Sequence, residues 1–226
     1  MIENIIKLAT GYPIMALSTL MPLLIIFIAF QKQNGLDKKL KLVLAFAFFF
    51  FATDIPLWIT TGLRINNQKY YYVRELLNHL IIIGIYYFIL DSAIKKRAII
   101  IIEISLILIG VASIFFYKED ATQFTSIYKL GIIGVVFMHF HSIMSESKIK
   151  NLLIYPFFWI SSGILVFSCG SVLILLFFNY TFISPELSVF RLYSQFLDVL
   201  VILMFIFIGI GFLNVKKSIH KQNHLL

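Results

Sequence analysis

The chain has 226 residues, 60% of them hydrophobic and 13% charged, with a formal net charge of +8 and a mean hydropathy of +0.94. Such basicity in a soluble protein would point to nucleic acid, but this apolar fraction excludes a soluble nucleic-acid-binding domain and reads as membrane protein. The single cysteine, Cys169, excludes an intramolecular disulfide framework.

An apolar helix needs roughly 20 residues to cross a hydrocarbon core about 30 Å thick. The first such stretch is Tyr12 to Phe30, which carries Pro13 and Pro22. Glu3 and Lys7 precede it and no small-residue cleavage pattern follows, so it is expected to be a retained helix and not a signal peptide. The second runs from Leu42 to Leu63 and contains Asp54-Ile55-Pro56. Pro56 lacks an N–H, which leaves the Ala52 carbonyl without its helical partner close to the acid.

The third stretch, Tyr71 to Leu90, carries Glu75, Asn78 and His79, and the fourth, Ala98 to Tyr117, carries Glu103 near its start. That position predicts a terminal acid that snorkels or pairs with Arg97. The fifth, Thr125 to Met144, contains Gly131, Gly134, His139 and His141. Two residues apart on a helix, the two histidines project about 200° from each other and cannot chelate one metal. The sixth, Leu152 to Phe178, carries the small residues Gly163, Cys169, Gly170 and Ser171, which suit close helix packing. Asn179-Tyr180-Thr181 follows as a chance match to a glycosylation acceptor. The seventh, Phe190 to Leu213, begins with Arg191, Gln195 and Asp198.

The prediction is an all-α fold, one seven-helix transmembrane bundle over residues 1–226 with sequential helices as neighbours. Lys and Arg fall twelve to seven in favour of the first, third and fifth loops and the tail. By the positive-inside rule those segments are cytoplasmic and the amino terminus lies outside. The richness in Ile, Lys and Asn is a bacterial pattern, so the expected location is the bacterial inner membrane.

With that orientation Asp54, His79 and Asp198 lie about 12 Å below the outer boundary. Glu75 and Asn78 accompany His79, and Arg191 and Gln195 share a face with Asp198. Polar side chains at this depth cost a few kcal/mol each and face the bundle interior. Asp54, Glu75, Asn78, His79, Arg191, Gln195 and Asp198 are therefore the candidate ligand-binding residues, in one outward-facing pocket on the second, third and seventh helices. The competing reading is structural: Arg191 or Arg74 pairs with Glu75 or Asp198, and His79 and Asn78 bond neighbouring helices. Asp54, with no cation nearby in sequence, is expected to tolerate Asp54→Asn, and Arg191→Gln to be the more disruptive change.

Other classes lack their parts. An intramembrane metal hydrolase needs converging His and acid ligands, and no His-x-x-x-His pair occurs in any span, so no enzyme activity, metal or cofactor is expected. A retinal photoreceptor needs a lysine in the seventh helix, which has none between Arg191 and Leu213. A channel needs a polar stripe through the full thickness, whereas the inner halves of the third and seventh helices are apolar from Ile81 to Leu90 and from Ile202 to Ile210. A polar pocket over an apolar floor suits a receptor-like or accessory signalling module, with a small-molecule or ion transporter as the alternative.

Tyr155-Pro156-Phe157-Phe158-Trp159-Ile160 with Gly163-Ile164-Leu165-Val166-Phe167, together with Glu75-Leu76-Leu77-Asn78-His79, resembles small stand-alone seven-helix membrane proteins of bacteria. It also resembles the seven-helix sensory module at the amino terminus of some histidine kinases. The resemblance implies reception of a small ligand coupled to a cytoplasmic or membrane partner. No kinase domain follows His220 to Leu226, so that partner, such as a histidine kinase, is expected to be a separate protein.

Overall fold

A computed structural model describes residues 10–32, 35–63, 65, 67–116, 122–145, 151–181 and 187–215. It contains seven long helices: α1 (Pro13–Gln31), α2 (Lys38–Gly62), α3 (Gln68–Ile89), α4 (Ala93–Phe116), α5 (Thr122–Ser145), α6 (Pro156–Thr181) and α7 (Leu187–Leu213). Among the described residues there is no strand.

Local chemistry sets several of the starts. Pro13 opens α1, where its missing N–H costs nothing. The Asp37 side chain caps α2 by accepting from the Leu40 N–H at 2.7 Å. Before α6, Asn151 accepts from the Leu153 N–H, and Pro156 then fixes the first helical turn. Pro22 and Pro56 sit inside α1 and α2, which continue through them.

Six helices close into a ring in the order α1, α2, α3, α5, α6, α7, with α7 returning to α1. Sequential helices are neighbours as the short loops predict, with one departure. Because α3 packs directly on α5, α4 is displaced to the outside of the ring, where it touches both.

Cross-links at the ends show that the helices alternate in direction. Lys39 Nζ, at the start of α2, donates to the Ile89 carbonyl at the end of α3 (3.1 Å). Lys95 at the start of α4 bonds Ser142 near the end of α5, and Asn214 just past α7 reaches the Leu153 carbonyl before α6 (3.3 Å). At the other end of the ring Trp58 Nε1 of α2 donates to Thr19 Oγ1 of α1 at 2.9 Å.

The exterior is apolar. Phe27, Phe48, Phe88, Phe137 and Leu173 stand outward, as do Ile101, Ile104 and Leu108 on α4. In water such a surface would drive aggregation; against lipid it is the expected solvent-facing skin. Five helices (α1, α2, α5, α6 and α7) are long and apolar enough to cross a bilayer, and the chain is built as a helical membrane protein.

The ring interior holds an aromatic plug. Phe46 and Phe50 of α2 meet edge to face with centroids 5.9 Å apart, and Phe205 of α7 lies 6.3 Å from Phe46 and 5.2 Å from Phe50. Ile82, Met204 and Ile208 are buried around it.

The small residues of α6 do what their size allows. A Cβ on Gly163 would lie 2.7 Å from Phe207 Cβ and 2.8 Å from the Met204 carbonyl, and one on Gly170 2.6 Å from the Leu200 side chain. A Cβ on Gly211 of α7 would lie 2.9 Å from the Pro156 carbonyl. Gly131 of α5 faces Leu106 of α4, whereas Gly134 has no atom within 4 Å of its Cβ position. The patch expected on α5 is thus one contact residue and one surface residue.

Gly163→Ala should therefore force the α6 and α7 backbones apart and lower stability by about 1–3 kcal/mol, while Gly134→Ala should be neutral. Thermal unfolding of the two variants in the same detergent decides the matter. Equal melting temperatures would mean that the helices do not touch at Gly163.

Candidate functional site

Helix α3 carries Arg74, Glu75, Asn78 and His79 within two turns, and its rotation of about 100° per residue sends them in different directions. Arg74 reaches α2, where Nη2 lies 2.8 Å from Asp54 Oδ1, and its guanidinium carbon stands 4.8 Å from the centre of the Phe50 ring. Glu75 reaches α5, where Oε2 accepts from Lys129 Nζ at 3.0 Å. Lys129 in turn rests 4.3 Å from the centre of the Phe167 ring of α6. His79 reaches α4, with Nε2 2.9 Å from Glu103 Oε2, and its ring stacks on Tyr128 of α5 at 4.8 Å.

The seventh helix joins through a neutral partner. Asp198 Oδ1 accepts from Ser18 Oγ of α1 at 2.9 Å. Thr19, next to Ser18, takes the Trp58 indole N–H and gives its own hydroxyl to Asp54. Tyr70 Oη donates to the Thr53 carbonyl at 2.9 Å, beside the proline-interrupted turn of α2. Asp54 feels the charges of Arg74 and Glu75, and Asp198 those of Asp54 and Arg74. Glu75 likewise feels Lys129, Arg74 and His79, so the groups form one electrostatic network.

Asp54, Glu75, His79 and Asp198 are therefore brought together from α2, α3 and α7, as their common depth suggests. Asn78 is buried at 3% exposure among them. Gln195 stands half-buried on α7, and among the described residues no hydrogen bond ties it to the network. The side chains of Arg191 and of Asn179-Tyr180-Thr181 lie outside the described residues.

Three expectations need correction. Asp54 is not free of a cation: it is the buried partner of Arg74, twenty positions away in sequence and adjacent in space. Glu75 pairs with Lys129, and Arg74, one of the two arginines named for it from sequence, is taken by Asp54. Glu103 is no terminal residue: α4 starts at Ala93, five residues before the predicted boundary, which moves Glu103 to the middle of the helix beside His79. Lys129 and Ser18 are the members that sequence reading missed, while Arg74 and Glu103 were named from sequence in other roles. Only Lys129 carried a usable signal, as a lysine five residues inside an apolar helix.

A second polar group lies deeper. Tyr86 Oη of α3 donates to Ser161 Oγ of α6 at 3.0 Å, and Ser161 Oγ lies 2.9 Å from His139 Nδ1 of α5. The spacing resembles that of a nucleophile and its base, and all three side chains are buried. His141 is exposed on the opposite face, as the His-x-His geometry requires. Among the described residues no group of three or more His, Cys, Asp or Glu side chains could hold a metal. The chain matches no family model, no curated protein and no solved structure.

Since removing one member of a buried pair leaves a charge uncompensated, Asp54→Asn should cost about 3–5 kcal/mol, and Lys129→Met a similar amount through Glu75. The double change Asp54→Leu with Arg74→Met should recover most of the loss. Thermal unfolding of the single and double variants tests this; a silent Asp54→Asn would show that the pair contributes nothing.

Proposed function

We propose that this chain is a seven-span receptor-like or accessory signalling module of the bacterial inner membrane, which senses a small ligand through the polar layer shared by α2, α3, α5 and α7. The observation that carries the reading is the division of the ring interior. Charged and hydroxyl side chains fill one half, while the Phe46, Phe50 and Phe205 plug closes the ring just beyond it. A polar layer over an apolar aromatic floor supports detection more than passage.

Counting α3 and α4 as spans rests on how their charges are disposed. Arg74, Glu75 and His79 all meet partners on neighbouring helices, and so does Glu103. The orientation reading also strengthens. Arg74 and Lys129, both counted with the outer segments, are neutralised inside the bundle, which changes the sequence count of lysine and arginine from twelve against seven to twelve against five. The lysine-rich end is assigned to the cytoplasm and the amino terminus to the outside. In this reading the signal passes to a separate partner, such as a histidine kinase.

The transporter alternative draws on the buried Tyr86, Ser161 and His139 chain, which lies about one turn further from the polar layer than the plug and would supply polar groups on its far side.

Reporter fusions after Lys41, Arg97, Lys150 and Leu226 should all read cytoplasmic, and a periplasmic reading at any of them breaks the assigned topology. For function, purified protein in proteoliposomes should bind its ligand saturably without concentrative or counterflow uptake. Uptake would replace the receptor with the transporter.

A further inference from the structure

Helix α3 turns one face to the outside of the ring, between α2 and α4. Two contacts fix its rotation: Arg74 turns to Asp54 of α2, and His79 turns to Glu103 of α4. On the side away from the ring interior, the positions between those two directions are Leu77, Leu80, Gly84 and Phe88, which recur every three or four residues. Leu77, Leu80 and Phe88 are exposed, and nothing lies within 4 Å of a Cβ placed on Gly84. The stripe is a floor with a hollow at the glycine.

The two banks are set by direct contacts as well. On α4, Lys96 Nζ stands 5.2 Å from the centre of the Tyr87 ring and Glu103 meets His79, so the level of α4 along α3 is known at two points. Ile100 and Ile104, both exposed, fall between the levels of Gly84 and Leu77. Lys95 and Leu106 mark the side of α4 that faces α5, through Ser142 and Gly131. Ile100 and Ile104 lie beyond Lys96 and Glu103 in the other direction, over the floor. On the far bank α2 is tied to α3 at Lys39, which donates to the Ile89 carbonyl, and at Asp54.

One mouth of this groove is basic. Residues 37–41 and 91–97 contain six cations and two acids. Asp37 caps α2, and Asp91 lies 3.5 Å from Lys39. Lys38 on one bank and Arg97 on the other are exposed and have no acid partner among the described residues. Lys96 sits between them over Tyr87.

An apolar groove with positive charge at one mouth complements an amphiphile that is apolar along its length and anionic at its end. A soluble anion has no use for the groove, and a zwitterionic lipid brings a cation of its own to the lysines. Orientation by loop charge requires cations at this end of the bundle. It does not require them on both banks of one apolar groove.

We propose that the groove between α2 and α4 binds a phospholipid with an anionic headgroup, its phosphate held by Lys38, Lys96 and Arg97 and an acyl chain lying along α3 over Gly84. The site is separate from the polar layer and does not rest on the function proposed for it.

The test uses the full chain in a nonionic detergent, with phosphatidylglycerol or phosphatidylcholine of the same acyl chains added to the micelles. Phosphatidylglycerol should raise the melting temperature saturably, by about 3–5 °C at roughly ten times the half-saturating content. Phosphatidylcholine should not, and neither should glycerol phosphate or inorganic phosphate, which offer the charge without the chains. Lys96→Gln combined with Arg97→Gln should raise the half-saturating content at least tenfold, since each cation at an anionic headgroup contributes about fivefold. Gly84→Leu should also weaken the effect, by filling the hollow, and should leave the lipid-free melting temperature equal or higher.

Equal stabilisation by phosphatidylcholine, or no effect of either lipid, overturns the proposal. So does stabilisation by the soluble phosphates, which would make this an anion site without a lipid. A phosphatidylglycerol effect that survives in both variants overturns it too, as does a dimer that forms without lipid and is lost in Gly84→Leu, which would seat a second copy in the groove. If Gly84→Leu does not fold, the Lys96 and Arg97 variant and the comparison of headgroups decide the matter.

Discussion

Everything in this bundle is arranged around the cost of putting the charges of Arg74 and Glu75 and the polar ring of His79 on one apolar helix. An uncompensated charge in a low-dielectric interior costs several kcal/mol, and water is not there to lower it. Each of the three must find a partner on another helix, and their rotation about α3 dictates which: Asp54 on α2, Lys129 on α5 and Glu103 on α4. This explains the departure from simple sequential packing. To bring Lys129 against Glu75, α5 must touch α3 directly, and α4 is left to approach from outside with Glu103 turned inward.

The two sides of the ring are held by different forces. Where α6 meets α7, glycine lets backbone approach backbone, and Gly163 and Gly211 each leave no room for a methyl group. Dispersion over such a contact is short-ranged and rigid. Around α3, the joints are ion pairs and ring contacts at the tips of long side chains. Those joints depend on charge and hydration, whereas the glycine seam does not. The aromatic plug joins the sides, since Phe50 lies under Arg74 and also against Phe205 of α7.

The seven helices were legible because hydropathy and axial rise are local quantities. So was the divergence of His139 and His141, which follows from two residues on one helix. Partners were not legible. Nothing near Asp54 in sequence announces Arg74. Glu103 shows how a small boundary error becomes a chemical one. Hydropathy starts α4 at Ala98, after the basic cluster, but the helix begins at Ala93, with Lys95 bonded to Ser142 in its first turn. Five residues are about 7 Å along a helix, the difference between a terminal acid at the headgroups and a buried partner for His79.

Buried pairing and the lysine bias are linked through the same electrostatics. A cation that is neutralised inside the bundle has no reason to stay on one side of the membrane, because the pair as a whole carries no net charge. Topological bias must therefore be read from cations that remain exposed at helix ends. Lys38, Lys41 and Arg97 are of this kind, as is Lys96 beside Tyr87, and all belong to the same end of the ring as Lys39 and Lys95. Arg74 and Lys129 belong to the site instead. Charge at the helix ends bears on orientation, whereas charge inside assembles the polar layer.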